Sequence, residues 1–172
     1  MKHSRCAPTL SAWQLTRLGT TVEERIIRST SAWSAAQIGE FVLRTEIPVR
    51  LACLSDSGAP LLCSLWFLYD SGAIWCATQR GARLVALLEQ DPRCAFEIAG
   101  DTPPYRGVRG QGSTSLSSAD GPAVLLRLID RYLHGRDSAF AKWLIARQDD
   151  EVAIRIEPAW LTSWDFSGRM KA

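Results

Sequence analysis

Residues 78–83 read Thr-Gln-Arg-Gly-Ala-Arg and run into Leu84, Leu87 and Leu88, an apolar set with helical spacing. One hydroxyl and two guanidinium groups therefore stand at a predicted helix start. The first turn of a helix leaves backbone N–H groups without partners. A guanidinium fork matches a pair of anionic oxygens and stays charged at any working pH. Together these groups make a place that would welcome a phosphate. Arg83 is the first choice as its ligand and Arg80 the second, while Thr78 can donate its hydroxyl and Gln79 lies between them. The competing reading makes Arg80 and Arg83 a solvated first turn, but a cation there opposes the helix dipole.

The elements that must hold this loop are legible around it. Upstream, the turns Ser57-Gly58 and Ser71-Gly72 separate three short apolar runs. Glycine supplies the positive φ that tight hairpins require, so the segment predicts a three-stranded meander. Ser34 and Gln37 form a capping box for a first helix, with Ile38, Phe41 and Val42 as its buried stripe. The helix after the basic loop stops at Asp91-Pro92. Strands are expected over 93–99 and 107–116, joined by a loop that Pro103 and Pro104 stiffen. Asp120 is expected to cap a helix carrying Leu125, Leu126, Ile129, Tyr132 and Leu133, ended by His134-Gly135. Asp137 is expected to open a short helix with Phe140, Trp143 and Leu144 inward. A last strand begins near Val152, with Ile154 and Ile156 alternating against Ala153 and Arg155, and Trp160, Thr162, Trp164 and Phe166 share a face beyond Pro158. Residues 1–33 have no clean period and read as an N-terminal extension, partly disordered or packed on a partner subunit. Residues 34–172 form the domain.

Composition narrows the function. A chain of 172 residues has room for one domain with a sizeable core. A formal net charge of +2 gives no field for nucleic acid or anionic lipid, and no basic stripe is present. No apolar run approaches the ~20 residues that span a bilayer, and the first residues lack the continuous apolar stretch of a secretory signal. The five cysteines, at 6, 53, 63, 76 and 94, include no CxxC pair, which argues against a disulfide framework or a zinc site. Four fall in predicted strands as small apolar side chains, and the setting expected is a reducing cytoplasm. His3 and His134 suit neither a catalytic base nor a metal ligand, and no carboxylate pair stands out. Gly110-Gln111-Gly112 lacks the rest of a dinucleotide fingerprint. The first three strands are joined by turns alone, which excludes a doubly wound parallel sheet and suits a small barrel.

The motifs in their order resemble the flavin-binding split barrels related to pyridoxamine 5'-phosphate oxidase. The matching residues are Gly58-Ala59-Pro60 leading into Ser64-Leu65-Trp66-Phe67, Ala77-Thr78 with the basic loop, Asp91-Pro92-Arg93, Tyr105-Arg106-Gly107-Val108 and Trp164-Asp165-Phe166. The resemblance covers most of the chain, from about Ser34 to Phe166. It implies a mainly β fold with helices, a six-stranded antiparallel split barrel, forming a homodimer with FMN at the subunit interface. A deazaflavin cofactor is the alternative, and haem occurs in some branches. The activity implied is that of an FMN-dependent oxidoreductase acting on a small organic substrate; the alternatives are a flavin or haem carrier without turnover and a deazaflavin-dependent reductase. By the same resemblance, Cys63, Ser64, Leu65 and Trp66 run along the flavin ring, mainly through backbone groups. Thr78, Gln79, Arg80 and Arg83 hold the phosphate, Arg106 touches cofactor or an acidic substrate, and Trp164 reaches the partner subunit's flavin. Tyr105, Arg109 and Gln111 lie near the entrance. The chain departs from the pattern at Ala82 and Leu84, where relatives often carry Ser and Lys. Cys63 and Leu68 stand where the oxidase proper has basic residues, so oxidation of pyridoxamine phosphate is not expected.

Overall fold

A computed structural model describes residues 22–171. Residues 1–21, most of the expected N-terminal extension, lie outside the described residues. Those just after them are packed on the barrel: Val22 is buried, Ile27 bridges Leu161, and Arg28 and Ala32 donate backbone N–H groups to Leu161 and Ser163.

The described elements are helix α1 (Ala35–Arg44), strands β1 (Val49–Leu54), β2 (Pro60–Leu65), β3 (Leu68–Asp70) and β4 (Ala73–Gln79), and helix α2 (Arg83–Gln90). They continue with β5 (Arg93–Ala99), β6 (Arg106–Ser117), α3 (Gly121–Leu133), α4 (Ala139–Ile145) and β7 (Glu151–Asp165). The strands form one antiparallel sheet in the order β2-β1-β5-β6-β7-β4-β3. β2 and β3 are thus the two edges, yet only Trp66 and Phe67 separate them in sequence. At 3.8 Å per Cα step the edges stand within about 11 Å of each other at that point, so the sheet must curl on itself. That makes seven strands where six are expected. The difference lies in the second run of the meander, which bends at Trp66-Phe67; one half pairs with β1 and the other with β4.

Local sequence explains most elements. Ser34 and Gln37 complete the capping box, each side chain on the other's backbone N–H. Ser71 and Gly72 both take left-handed φ, 51° and 78°, as the tight β3–β4 turn requires. Two helix starts differ from expectation. Asp120 precedes α3 without bonding its N–H groups, and Pro122 opens the first turn instead, where its missing N–H costs nothing. Ser138, not Asp137, caps α4, accepting from the Ala141 N–H at 3.1 Å. The inward face of α4 also differs: Ala141 and Leu144 face inward, while Phe140 and Trp143 are half exposed. Phe166 falls beyond the end of β7 and so leaves the face it was expected to share.

The core fills the curl. Leu51, Phe67, Ile74, Cys76, Phe96, Ile98, Val108, Ile154 and Ile156 meet Ile38 and Val42 of α1 and Leu84, Leu87 and Leu88 of α2. A second layer sits outside, where Val124, Leu125, Leu128 and Ile129 of α3 cover β3, β4 and Ala153. Glycines let backbones cross closely, and a Cβ on Gly110 would stand 2.4 Å from the Trp160 carbonyl oxygen. Gly110→Ala is therefore expected to cost about 1–3 kcal/mol by urea unfolding, and an unchanged midpoint would contradict this packing.

Burial also fixes an alkaline limit. It pushes the Cys94 thiol up to about 11 from an ordinary 9.0 and the Tyr69 hydroxyl up to about 12 from 10.0, and it raises Cys76 as well. Acids with folded pKa values above their unfolded ones stabilise the fold fully below pH 9 and lose that contribution as pH rises through the folded values. Urea midpoints are expected to hold up to pH 9 and fall between pH 9 and about 12; a flat profile would refute it.

Candidate functional site

The loop after β4 is held at the barrel seam. The Arg80 N–H donates to the Asp150 carbonyl at 2.8 Å and Ala82 N–H to Gln79 at 2.9 Å, closing a tight turn into α2. No side chain caps α2, because Ala82 at its start has no acceptor. The Val85 N–H turns back to the Ala82 carbonyl at 3.0 Å, and three polar groups of the loop, on Thr78, Arg80 and Arg83, stand beside this uncapped start. Arg80 and Arg83 are exposed and Thr78 is half-buried.

The two arginines are tied differently. Arg80 donates to the Ser118 hydroxyl at 2.9 Å, which steadies the guanidinium without neutralising it. Arg83 has the Asp56 carboxylate at 3.9 Å, with both side chains about two-thirds exposed, a pairing of little strength. Both cations thus keep capacity for an anion. Leu84 is buried in the barrel core at 4 % exposure. In this chain that position contributes to the core, which an apolar side chain suits.

Gln79 has a different employment. Its amide donates to Glu151 Oε1 at 3.1 Å across the β4–β7 ladder, and Glu151 is only 4 % exposed. A buried carboxylate needs such a donor. The N-terminus of α3 packs directly above, where a Cβ on Gly121 would lie 2.0 Å from the Glu151 carbonyl.

β2 meets this loop across the seam. It is an edge strand with Ser64 exposed, Cys63 and Leu65 half-buried, and Leu62 63 % exposed. Trp66 and Ala77 pack into the same outer cluster, so the end of β2 lies beside β4 just before Thr78. The Trp66 ring itself stacks on Tyr132, with centroids 5.0 Å apart and planes 7° apart, and meets Phe140 edge-on at 6.2 Å.

Arg106 and Trp164 are elsewhere. Thr78 and Gln79 face Val152 and Glu151 at the start of β7, whereas Arg106 pairs with Asp165 at its end. β6, twelve residues long, separates the two ends by about 35 Å of strand. Arg106 lines an open cleft of about 490 Å³ with Trp33, Gln37, Glu40, Phe41, Arg44, Thr45 and Asp165. Asp165 is held below the usual carboxylate range by hydrogen bonds from Ser167 and Trp33 and by the charge of Arg106. Trp164 lies under the Arg109 guanidinium at 5.4 Å and over Gly107, where a Cβ would crowd its ring at 2.8 Å. Tyr105 and Gln111 are exposed on the same ribbon, and Gln111 accepts from Trp160 Nε1 at 3.3 Å.

Within one chain, then, residues 63–66 and 78–83 come together and Arg106 and Trp164 do not. Ser118, Asp56, Glu151 and Tyr132 are the neighbours that sequence reading misses. Strand register brings in Glu151, turns bring in Asp56 and Ser118, and helix packing brings in Tyr132, and nothing local announces them. Among the described residues no three His, Cys, Asp or Glu side chains gather as a metal site, and no helix is long and apolar enough to cross a membrane. The cysteines at 53, 63, 76 and 94 are free thiols in strands.

No protein-family model matches the chain, and no curated protein matches it. Solved structures do. A conserved hypothetical protein from Mycobacterium tuberculosis aligns at a TM-score of 0.67 with 26% identity, covering 80% of this chain and 88% of its own. An F420 reductase aligns at 0.61 with 22% identity, covering 72% and 94%. An FAD-binding protein from Mesorhizobium loti aligns at 0.57 with 16% identity, covering 76% and 94%. The chain has the split-barrel fold of the flavin and deazaflavin oxidoreductase-like proteins related to pyridoxamine 5'-phosphate oxidase.

The two classes of polar residue at the seam separate experimentally. Gln79→Ala, which strands a buried carboxylate, is expected to cost about 2 kcal/mol. Arg83→Ala, at an exposed site, should stay within about 0.5 kcal/mol. Equal urea midpoints for the two variants would refute the division.

Proposed function

We propose that this protein binds a flavin-type cofactor at the barrel seam and uses it as an oxidoreductase. FMN is the first choice and a deazaflavin the alternative. Its phosphate would be taken by Arg83, Arg80, Thr78 and the uncapped N-terminus of α2. Its ring would run along the exposed edge of β2 at Cys63, Ser64, Leu65 and Trp66. Such a cofactor, when bound, supplies the electron transfer, while the protein supplies position and electrostatics. The observation that carries the reading is the pair of incompletely neutralised arginines beside an uncapped helix start, set against a free strand edge. The likeness in fold to an F420 reductase and an FAD-binding protein supports a flavin or deazaflavin; it does not choose between them.

The reading also asks for a second copy. Arg106 and Trp164 sit at the opposite end of the β6–β7 ribbon from the proposed phosphate loop. A homodimer would bring the partner's C-terminal end to the seam, with the cofactor between subunits. Leu62, Phe140 and Trp143, large apolar side chains at least half exposed, are suited to such an interface. The substrate is a small organic molecule, and the expected setting is the cytoplasm.

The test is a flavin titration of the full chain. Wild type is expected to give a yellow, saturable complex, and Arg83→Ala to weaken FMN at least about tenfold, the loss of one charge-assisted contact. Unchanged affinity in Arg83→Ala would remove the phosphate assignment. A wild type that binds neither FMN nor a deazaflavin would refute the cofactor altogether.

A further inference from the structure

We propose that Tyr132, braced by Arg131, is a positioning residue that fixes the Trp66-Phe67 corner and through it the strand edge meant for the flavin ring. The inference rests on the flavin reading above and assigns that site a residue lying outside it.

The corner has an unusual task. It carries the chain from one edge of the sheet to the other in two residues, where β2 has left β1 and β3 has only begun to pair with β4. The Phe67 N–H has no strand partner there and donates instead to the Tyr132 hydroxyl at 3.2 Å. The Tyr132 ring lies flat on Trp66 at 5.0 Å. One side chain thus holds both residues of the corner, one through its backbone and the other through its ring.

Arg131 anchors the clamp. Its guanidinium donates to the carbonyl of Leu43 at 3.0 Å, to that of Val42 at 3.1 Å and to that of Thr45, the last turn of α1. A cation suits that end of a helix. The same group lies 5.3 Å from the Phe67 ring and 5.9 Å from the Tyr132 ring. α3 therefore grips α1 and the corner at one place. The Ser64 and Leu65 peptide groups lie immediately before the corner, so a loosened corner shifts the backbone donors and acceptors along β2.

The experiment compares Tyr132→Phe with Ile98→Val, a core substitution of similar cost to stability elsewhere in the barrel. Amide exchange is measured on the cofactor-free protein, and FMN affinity and the visible circular dichroism of bound flavin on the complex. Tyr132→Phe is expected to speed exchange in the peptide spanning 65–68 at least about tenfold, weaken FMN about five- to tenfold and alter the flavin dichroism. Ile98→Val should leave all three within about twofold of wild type. If FMN affinity and dichroism of Tyr132→Phe match wild type, or Ile98→Val changes them as much, positioning by Tyr132 is refuted while the flavin reading stands. Failure of wild type to bind flavin would overturn both, and is told apart by that control alone.

Discussion

Two residues, Trp66 and Phe67, join the opposite edges of a seven-stranded sheet. A flat sheet of that width would put its edges several strand spacings apart, at ~4.8 Å each, far beyond what a two-residue link spans. Closure follows from covalent connectivity, and the rest of the molecule is arranged around it. α1 and α2 contribute Ile38, Val42, Leu84, Leu87 and Leu88 to the enclosed core, while α3 covers the seam from outside. Closure also brings the end of β2 beside the loop after β4, segments that the sheet order alone would place at different strands. The candidate site is a product of that closure.

The arginines near the seam show how burial sorts like residues into unlike roles. Arg131 is spent on three carbonyls at the end of α1, those of Val42, Leu43 and the capping Thr45, and on two aromatic rings, so its charge is committed inside the structure. Arg80 is steadied by a neutral hydroxyl and keeps its charge available. Arg83 stands almost free beside a distant carboxylate. The buried Glu151 is answered by Gln79, which leaves the polar chemistry of the loop to Thr78, Arg80 and Arg83.

Much of this was legible wherever a feature is local. The capping box at Ser34, the stop at Asp91-Pro92, the turn at Ser71-Gly72 and the strands around Ile98 and Ile154 all depend on neighbours within a few residues. The break at Trp66-Phe67 was not readable, because an apolar run looks alike whether it stays straight or bends between two partners. The inward turn expected of Phe140 and Trp143 failed because α4 packs on α3 through Ala141, Leu144 and Ile145 instead, a choice made by tertiary contact. In the candidate site, residue types drew attention to the basic loop after β4, and its position beside the end of β2 follows from the fold. The ties of Arg80 to Ser118, Gln79 to Glu151 and Tyr132 to Phe67 depend on register and layer packing, for which a single sequence carries no mark.

The central claim is that the loop after β4 recognises a phosphate on a flavin. Calorimetric titration of the full chain with FMN and with riboflavin isolates that phosphate, since the ring and ribityl chain are common to both. Two arginines beside an uncapped helix start should make FMN bind about a hundredfold more tightly than riboflavin. Equal affinity for the two, or binding of neither, would contradict the account.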